Sequence, residues 1–355
     1  MSRMRSVLRS ATLLLPPIRE LYKVALRAGA IEQEAERLRG AVARSESQAA
    51  SLRAETAALR DTVAALKKNT ESSDGAATEL LRANAERRLI VTEYPYFPQS
   101  RPIADRPGGR LVIERFERNI DSIRETILGI AKHSENMARI PYDEEHASLS
   151  PYWHNDWFPP FDGASLYGLI AERKPRRYIE VGSGISTRFA RRAIQDYNLP
   201  TQIVSIDPHP HNATDGLCDE TIVRRAEDLP TTFWSNIDPG DILFIDNSHR
   251  CFPGSDVTVF FTEVLPGLSK GVIYGIHDIF LPNDYPDAWN DRYYSEQYLL
   301  MMYLLGGARD DKILSPNFWA YSKPELHGLL DPLWSNKAVF RDLMKHGGCF
   351  WAMRD

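Results

Sequence analysis

Apolar residues follow two different rhythms along this chain. Between Ile31 and Leu66 they recur at alternating steps of four and three: Ile31, Ala35, Leu38, Val42, Ser45, Ala49, Leu52, Thr56, Leu59, Val63 and Leu66. A seam of that period predicts a coiled coil over 28–68 and self-association of the chain, with Gly40, Ser45 and Thr56 as its weak points. A solitary amphipathic helix folded back on the rest of the chain is the competing reading. A second helix is predicted from Leu111 to Lys132, where Ile113, Phe116, Ile120, Ile123, Ile127 and Ile130 form one stripe that must be buried. The rhythm then changes to short apolar runs: Tyr178–Val181, Gln202–Ile206, Thr221–Arg225, Asp241–Ile245 and Gly271–Ile276. Helical patterns at Ser186–Tyr197, Ser255–Leu265 and Tyr294–Leu305 alternate with them. That alternation predicts an α/β fold with a parallel sheet.

The segments between these patterns set the expected organisation. Residues 1–27 are basic and partly apolar, with Arg3, Arg5 and Arg9 ahead of Ala11 to Leu15. Their apolar core is too short to span a bilayer and carries no convincing cleavage site, so at most a weak membrane-surface contact is expected. Residues 69–150 are read as a polar break, a proline- and aromatic-rich connector and the amphipathic helix. The domain carrying the chemistry is placed at 151–355. It begins in an aromatic loop, Pro151 to Phe161, whose Trp153, His154 and Trp157 suit a pocket for a polyol as well as a plain hydrophobic lid. The irregular stretch Leu281 to Tyr294 leaves the sheet beside the same place, where specificity usually resides.

Composition narrows the partners. The 355 residues carry 43 basic and 48 acidic side chains, a net charge of −5, which gives no basic excess for nucleic acid. Cys218, Cys251 and Cys349 have no metal-ligand spacing and form no disulfide framework, as expected of a reducing, cytoplasmic setting.

The run Tyr178 to Thr187, YIEVGSGIST, joins a buried strand to a helix through Gly182 and Gly184. Glycines there accept unusual backbone angles and let a ligand approach closely. Glu180 is costly beside a buried strand end unless paired, and an amino acid ammonium would suit it. The dinucleotide fingerprint needs a third glycine where this chain has Thr187. Asp207 closes the second apolar run 25 residues beyond Gly182, where a carboxylate can accept from a ribose diol. The turn EVGSGIS instead resembles motif I of class I S-adenosylmethionine-dependent methyltransferases, with Ser186 where many members have a third glycine. By that resemblance Glu180, Gly182, Ser183, Gly184, Ser186, Asp207, Glu227 and Asp246 would bind the cofactor, with Glu227 at the adenine. The fold it implies is a doubly wound, seven-stranded, mostly parallel sheet, completed by Lys312–Pro316 and by Cys349–Met353 paired antiparallel at the sheet edge.

The fourth and fifth runs deliver Asp246-Asn247-Ser248-His249 and His277-Asp278-Ile279-Phe280. Ligands sit beyond the carboxyl ends of strands in such sheets, so two carboxylates and two imidazoles should share one small space. The pattern IDNSH followed by IHDIF is similar to metal-dependent O-methyltransferases of the catechol and macrolide-sugar types. That similarity implies Mg²⁺ on Asp246 and Asp278, a proton taken by His249, and His277 in the place of a third acidic ligand, a position better suited to a softer ion. The expected activity is methyl transfer to a hydroxyl of a glycan or other small molecule. The rivals are a hydroxylase-like relative that uses a metal, and a non-catalytic scaffold with a vestigial cofactor site.

Overall fold

The apolar runs after Arg177 form one sheet. The computed structural model describes residues 93–144, 149–210, 216–306 and 311–355, with part of the stretch 20–42 and residues 56 and 82. Its strands are β1 Arg177–Val181, β2 Gln202–Ile206, β3 Glu220–Ile222, β4 Ile242–Ile245, β5 Ile273–Ile276, β6 Lys312–Pro316 and β7 Phe350–Met353. They lie in the order β3-β2-β1-β4-β5-β7-β6, with β1 to β5 parallel and β7 antiparallel to both of its neighbours. The architecture is the expected α/β fold with a mostly parallel seven-stranded sheet. One detail differs: β7 is inserted between β5 and β6, so the edge belongs to β6. An insertion suits its sequence, because Phe350, Trp351 and Ala352 are all buried, as a strand covered on both sides requires.

The chain divides into two compact units, 1–96 and 97–355. In the first, every described position from 20 to 42 is helical. The rest of the predicted coiled coil, apart from Thr56, lies outside the described residues, as does the basic segment up to residue 19. The second unit starts well before residue 151. Helices α1 Pro107–Arg118 and α2 Ile120–Ala131 belong to it and contribute Val112, Phe116, Ile123, Ile127 and Ile130 to the core. Each such side chain contributes about 1.5–3 kcal/mol by leaving water.

The single helix expected over this stripe is broken at Asn119. The side chain of Asn119 donates to the Arg115 carbonyl at 2.9 Å and accepts from the Ile313 amide at 3.2 Å, while Ser122 Oγ donates to the Ile313 carbonyl at 2.8 Å. The break therefore satisfies backbone groups on β6, an edge strand that would otherwise be open to pairing.

Helix α3, Pro160–Arg173, packs on α2 so closely that a Cβ at Gly168 would stand 2.9 Å from Ile130. Helix α4, Ile185–Asp196, follows β1, and α5, Asp256–Val259, starts a helical stretch ahead of β5. Helix α6 spans Glu296–Leu305. Among the described residues, no helix is long and apolar enough to cross a membrane.

Candidate active site

Strand register builds the site. Val181 pairs with Ile206 on one side and Ile245 on the other, and Ile245 pairs with Ile276. The next residue of each strand must then stand in one row across the sheet: Asp207, Gly182, Asp246, His277. The ladder continues through that row, with Gly182 N donating to Ile206 O, Asp246 N to Val181 O and His277 N to Ile245 O. Four residues far apart in sequence become neighbours because four apolar runs end in register.

Only glycine fits at 182. Its φ is +86°, and a Cβ there would lie 2.0 Å from the carbonyl oxygen of Asp246. Gly182→Ala is expected to lower stability by about 2–4 kcal/mol through strain and a backbone clash. A denaturant midpoint equal to wild type would contradict the register just described.

Beside this turn lies a cavity of about 460 Å³ lined by Glu144, Tyr152, Trp157, Phe158, Arg188, Asp246 and the run Ser183 to Ser186. Of the residues expected from sequence, Ser183, Gly184, Ser186 and Asp246 line it directly. Gly184 precedes α4, and a Cβ there would meet nothing within 4 Å, so its backbone is open to a ligand. The Asp207 carboxylate accepts from Ser183 N and Oγ, both at 3.0 Å, and from His209 N at 2.7 Å. Glu227 sits in a single helical turn after β3, 3.7 Å from Arg225.

Glu180 is placed differently from the others. It is completely buried, and its oxygens accept from the hydroxyls of Tyr178 at 3.0 Å, Ser186 at 3.2 Å and Thr187. Burial pushes its carboxyl up to about 8 against those three bonds. An ammonium would reach it only by displacing these hydroxyls, so Glu180 in this arrangement braces β1 against the start of α4. Arg188 was not singled out in the sequence. It is nearly buried, with Nη1 2.7 Å from Glu144 and its guanidinium 5.9 Å from the Tyr152 ring centre, and it offers the cavity a fixed positive charge.

Asp246 also opens onto a charged cluster. His249 Nε2 lies 3.3 Å from Asp246 Oδ1 and 3.6 Å from Asp278 Oδ2, while its Nδ1 is 2.9 Å from Glu296 Oε2. His277 Nδ1 lies 3.3 Å from Asp246 Oδ1 and 3.6 Å from Asp278 Oδ1, and its Nε2 faces Asp162 Oδ2 at 3.5 Å. His249 and Asp278 both adopt positive φ, +57° and +56°, a conformation uncommon outside glycine that often marks functional loops.

Charge in this cluster follows from the contacts. Burial would lower the His249 imidazole, but its bonds to Asp246 and Glu296 and the charge of Asp278 outweigh it and push it up to about 10. His277 is likewise held well above its usual value despite burial, by Asp278, Asp246 and Asp162. Burial acts to raise Asp246, yet the two imidazoles keep it below the usual carboxylate range. Asp278 and Glu296 are raised, burial being the largest cause for each. Both rings are therefore held toward the imidazolium form, each set between carboxylates.

Asp162 and Glu296 are the partners that sequence reading missed. Asp162 accepts from Gly348 N at 2.6 Å, Cys349 N at 2.8 Å and Asn317 Nδ2 at 2.7 Å, which fixes it beneath His277.

The donor set does not fit Mg²⁺. That ion prefers an octahedral shell of oxygens, whereas the side-chain atoms between Asp246 and Asp278 are imidazole nitrogens of His249 and His277, a mixed set better suited to a softer ion. Among the described residues, the grouping tight enough to ligate one ion is Asp162, His277 and Cys349, all buried and mutually within 4.8 Å. Both oxygens of Asp162 there already accept backbone and amide hydrogens.

Comparison with known proteins adds the following. Residues 179–279, from β1 to just past β5, match the family model described as a methyltransferase domain. No curated protein matches the chain. A SAH-bound crystal structure of the Podospora anserina methyltransferase PaMTH1 is 15% identical and covers 75% of this chain and 100% of that chain, with a TM-score of 0.34. The MycE methyltransferase of the mycinamycin biosynthetic pathway, in complex with Mg, SAH and mycinamycin VI, is 17% identical and covers 51% and 45%, with a TM-score of 0.28. Likenesses this distant carry no argument about what this chain binds.

Proposed function

We propose that the chain is an S-adenosylmethionine-dependent methyltransferase that methylates a hydroxyl of a sugar, glycan or other small molecule without a magnesium ion. The observation that carries this reading is the row Asp207, Gly182, Asp246 and His277 beside a 460 Å³ cavity, with the His249 imidazole against Asp246. The family match over 179–279 covers the same row.

The residues present suit that cofactor. Gly184 leaves the backbone uncovered, Asp207 beside it suits a ribose diol, and Arg188 with the backbone amides at the start of α4 suits the carboxylate of an amino acid. When bound, the cofactor supplies a methyl group already activated by its sulfonium. The chain has two tasks left, alignment of the acceptor and removal of its proton.

His249 performs the second task once it has lost its own proton. A second cation settling near Asp246 weakens the hold of His249 on its proton; with that proton passed to solvent, Nδ1 stays bonded to Glu296 and Nε2 can accept the proton of the hydroxyl. His277 keeps its charge, because Asp162 and Asp278 still face it, and it anchors Asp246. Trp157, 74% exposed, and Tyr152 offer aromatic faces at the cavity mouth for the acceptor.

Calorimetric titration of the full chain with S-adenosylmethionine, in two buffers of different ionisation heat, tests the reading. Binding in the range of about 1 µM to 1 mM with net proton release at pH 7.5 is expected, followed by S-adenosylhomocysteine formation on a panel of hydroxylated acceptors. Absence of binding would overturn it. Binding without turnover on any acceptor would favour the scaffold.

A further inference from the structure

The N-terminal helix carries an apolar face that continues beyond the seam read from Ile31 onward. Among its described residues the large apolar side chains are Leu21, Val24, Ile31, Leu38 and Val42, and each is between 54% and 69% exposed. Their spacing places Leu21 and Val42 at a positions of a heptad and Val24, Ile31 and Leu38 at d positions, with Ala28 and Ala35 completing the a series. The seam therefore starts ten residues earlier than Ile31, and the same register runs on in sequence to Leu66. A helix in water does not ordinarily leave a stripe of large apolar side chains uncovered.

We propose that this stripe is covered by the same helix of a second copy of the chain, as a parallel, in-register two-stranded coiled coil. Flanking charges specify both the partner and the orientation. In a parallel pair each g residue faces the e residue five places further along the other helix. In this chain those pairs are Arg27 with Glu32, Glu34 with Arg39, and Glu55 with Arg60, each of opposite charge. The intervening pairs, Glu20 with Ala25, Ala41 with Glu46, Gln48 with Arg53 and Thr62 with Lys67, join one charged residue to a neutral one. No like charges meet anywhere along the register. Self-complementarity of that kind favours an identical helix, because every pair is formed twice across the two-fold axis. Among the described residues Glu34 makes an exposed contact with Arg37 at 3.5 Å in its own helix, which it can exchange at little cost.

Sedimentation equilibrium of the full chain reads the assembly. A mass twice the 40.4 kDa of one chain is expected, falling to that of the monomer in Ile31→Asp/Leu38→Asp. Thermal unfolding of the second unit should be unchanged in that variant, which separates loss of pairing from loss of fold. Glu34→Arg should weaken the dimer, and Glu34→Arg/Arg39→Glu should restore it. Leu38→Cys reads the orientation: in a parallel pair it meets its own counterpart and oxidises to a linked dimer that the wild type does not form. A monomeric wild type, a trimer, a dimer indifferent to the two aspartates, or no cross-link through residue 38 would each overturn the proposal.

Discussion

His249→Gln is expected to lower kcat by about 10²–10⁴-fold, the usual contribution of a positioned general base, with little change in affinity for S-adenosylmethionine. Glutamine retains an N–H to offer the Glu296 carboxylate, which His249 Nδ1 meets at 2.9 Å, and so keeps a partner for a fully buried charge. It has no group that can take a proton from an acceptor hydroxyl near neutral pH. His249→Ala makes a useful contrast. It would strand Glu296, whose Oε1 has no hydrogen-bond partner in this structure, and leave Asp246 and Asp278 facing one cation instead of two. Breaking a buried pair in this way costs about 3–5 kcal/mol, so the alanine variant should lose stability as well as rate. Single-turnover kinetics on the glutamine variant, with cofactor affinity measured in parallel, separate the two effects. If His249→Gln keeps its rate within an order of magnitude of wild type, the proton leaves by another route.

The difference between those variants shows which parts of the site could be read from sequence. Asp207, Asp246 and His277 were legible because each closes an apolar run, with Asp278 next to the last of them, and runs that end in register bring their next residues together. Gly182 was legible for a related reason, since a glycine at that turn signals close approach of backbone, here from Asp246. The partners that set the charge of the two imidazoles were not. Glu296 opens α6, where an acidic residue in the first turn is ordinary, and nothing local shows that the turn delivers it under His249. Asp162 lies in the first turn of α3, equally unremarkable, and its role depends on Gly348 and Cys349, almost two hundred residues away. Glu180 reads as a costly carboxylate beside a buried strand end that an ammonium would suit, but its partners are the hydroxyls of Tyr178 and of Ser186 and Thr187 on α4. The amphipathic stripe from residue 111 was correctly apolar, yet its break at Asn119 answers a need of β6 that no local pattern records. Local pattern thus supplied the positions of the groups, while their protonation depends on contacts between residues far apart in sequence.

Glu296→Gln should move the pH dependence of the reaction toward acid, and this tests whether those distant contacts set the chemistry. Glu296 is one of three carboxylates around His249, and together they raise the imidazole to about 10 against the effect of its burial. If neutral His249 is the proton acceptor, kcat/KM in the wild type should climb with pH up to that region, because this ratio reports the free enzyme. The limb in kcat should lie lower, since the bound sulfonium already disfavours the imidazolium. Removing the Glu296 charge lowers the His249 value, so the kcat/KM limb should shift down by at least about one unit, worth about 1.4 kcal/mol, and the rate at neutral pH should rise. Stability supplies an independent sign. A folded-state value raised from 6.5 contributes stability that is full below 6.5 and is lost as pH rises through about 10. The wild type should therefore lose stability between about pH 6.5 and 10, and Glu296→Gln should lose less over the same window. Rate profiles and unfolding midpoints at pH 6, 8 and 10 read both effects. An unmoved limb beside a flattened stability curve would mean that His249 titrates as described without being the group that limits catalysis, leaving it a structural cation between Asp246 and Asp278.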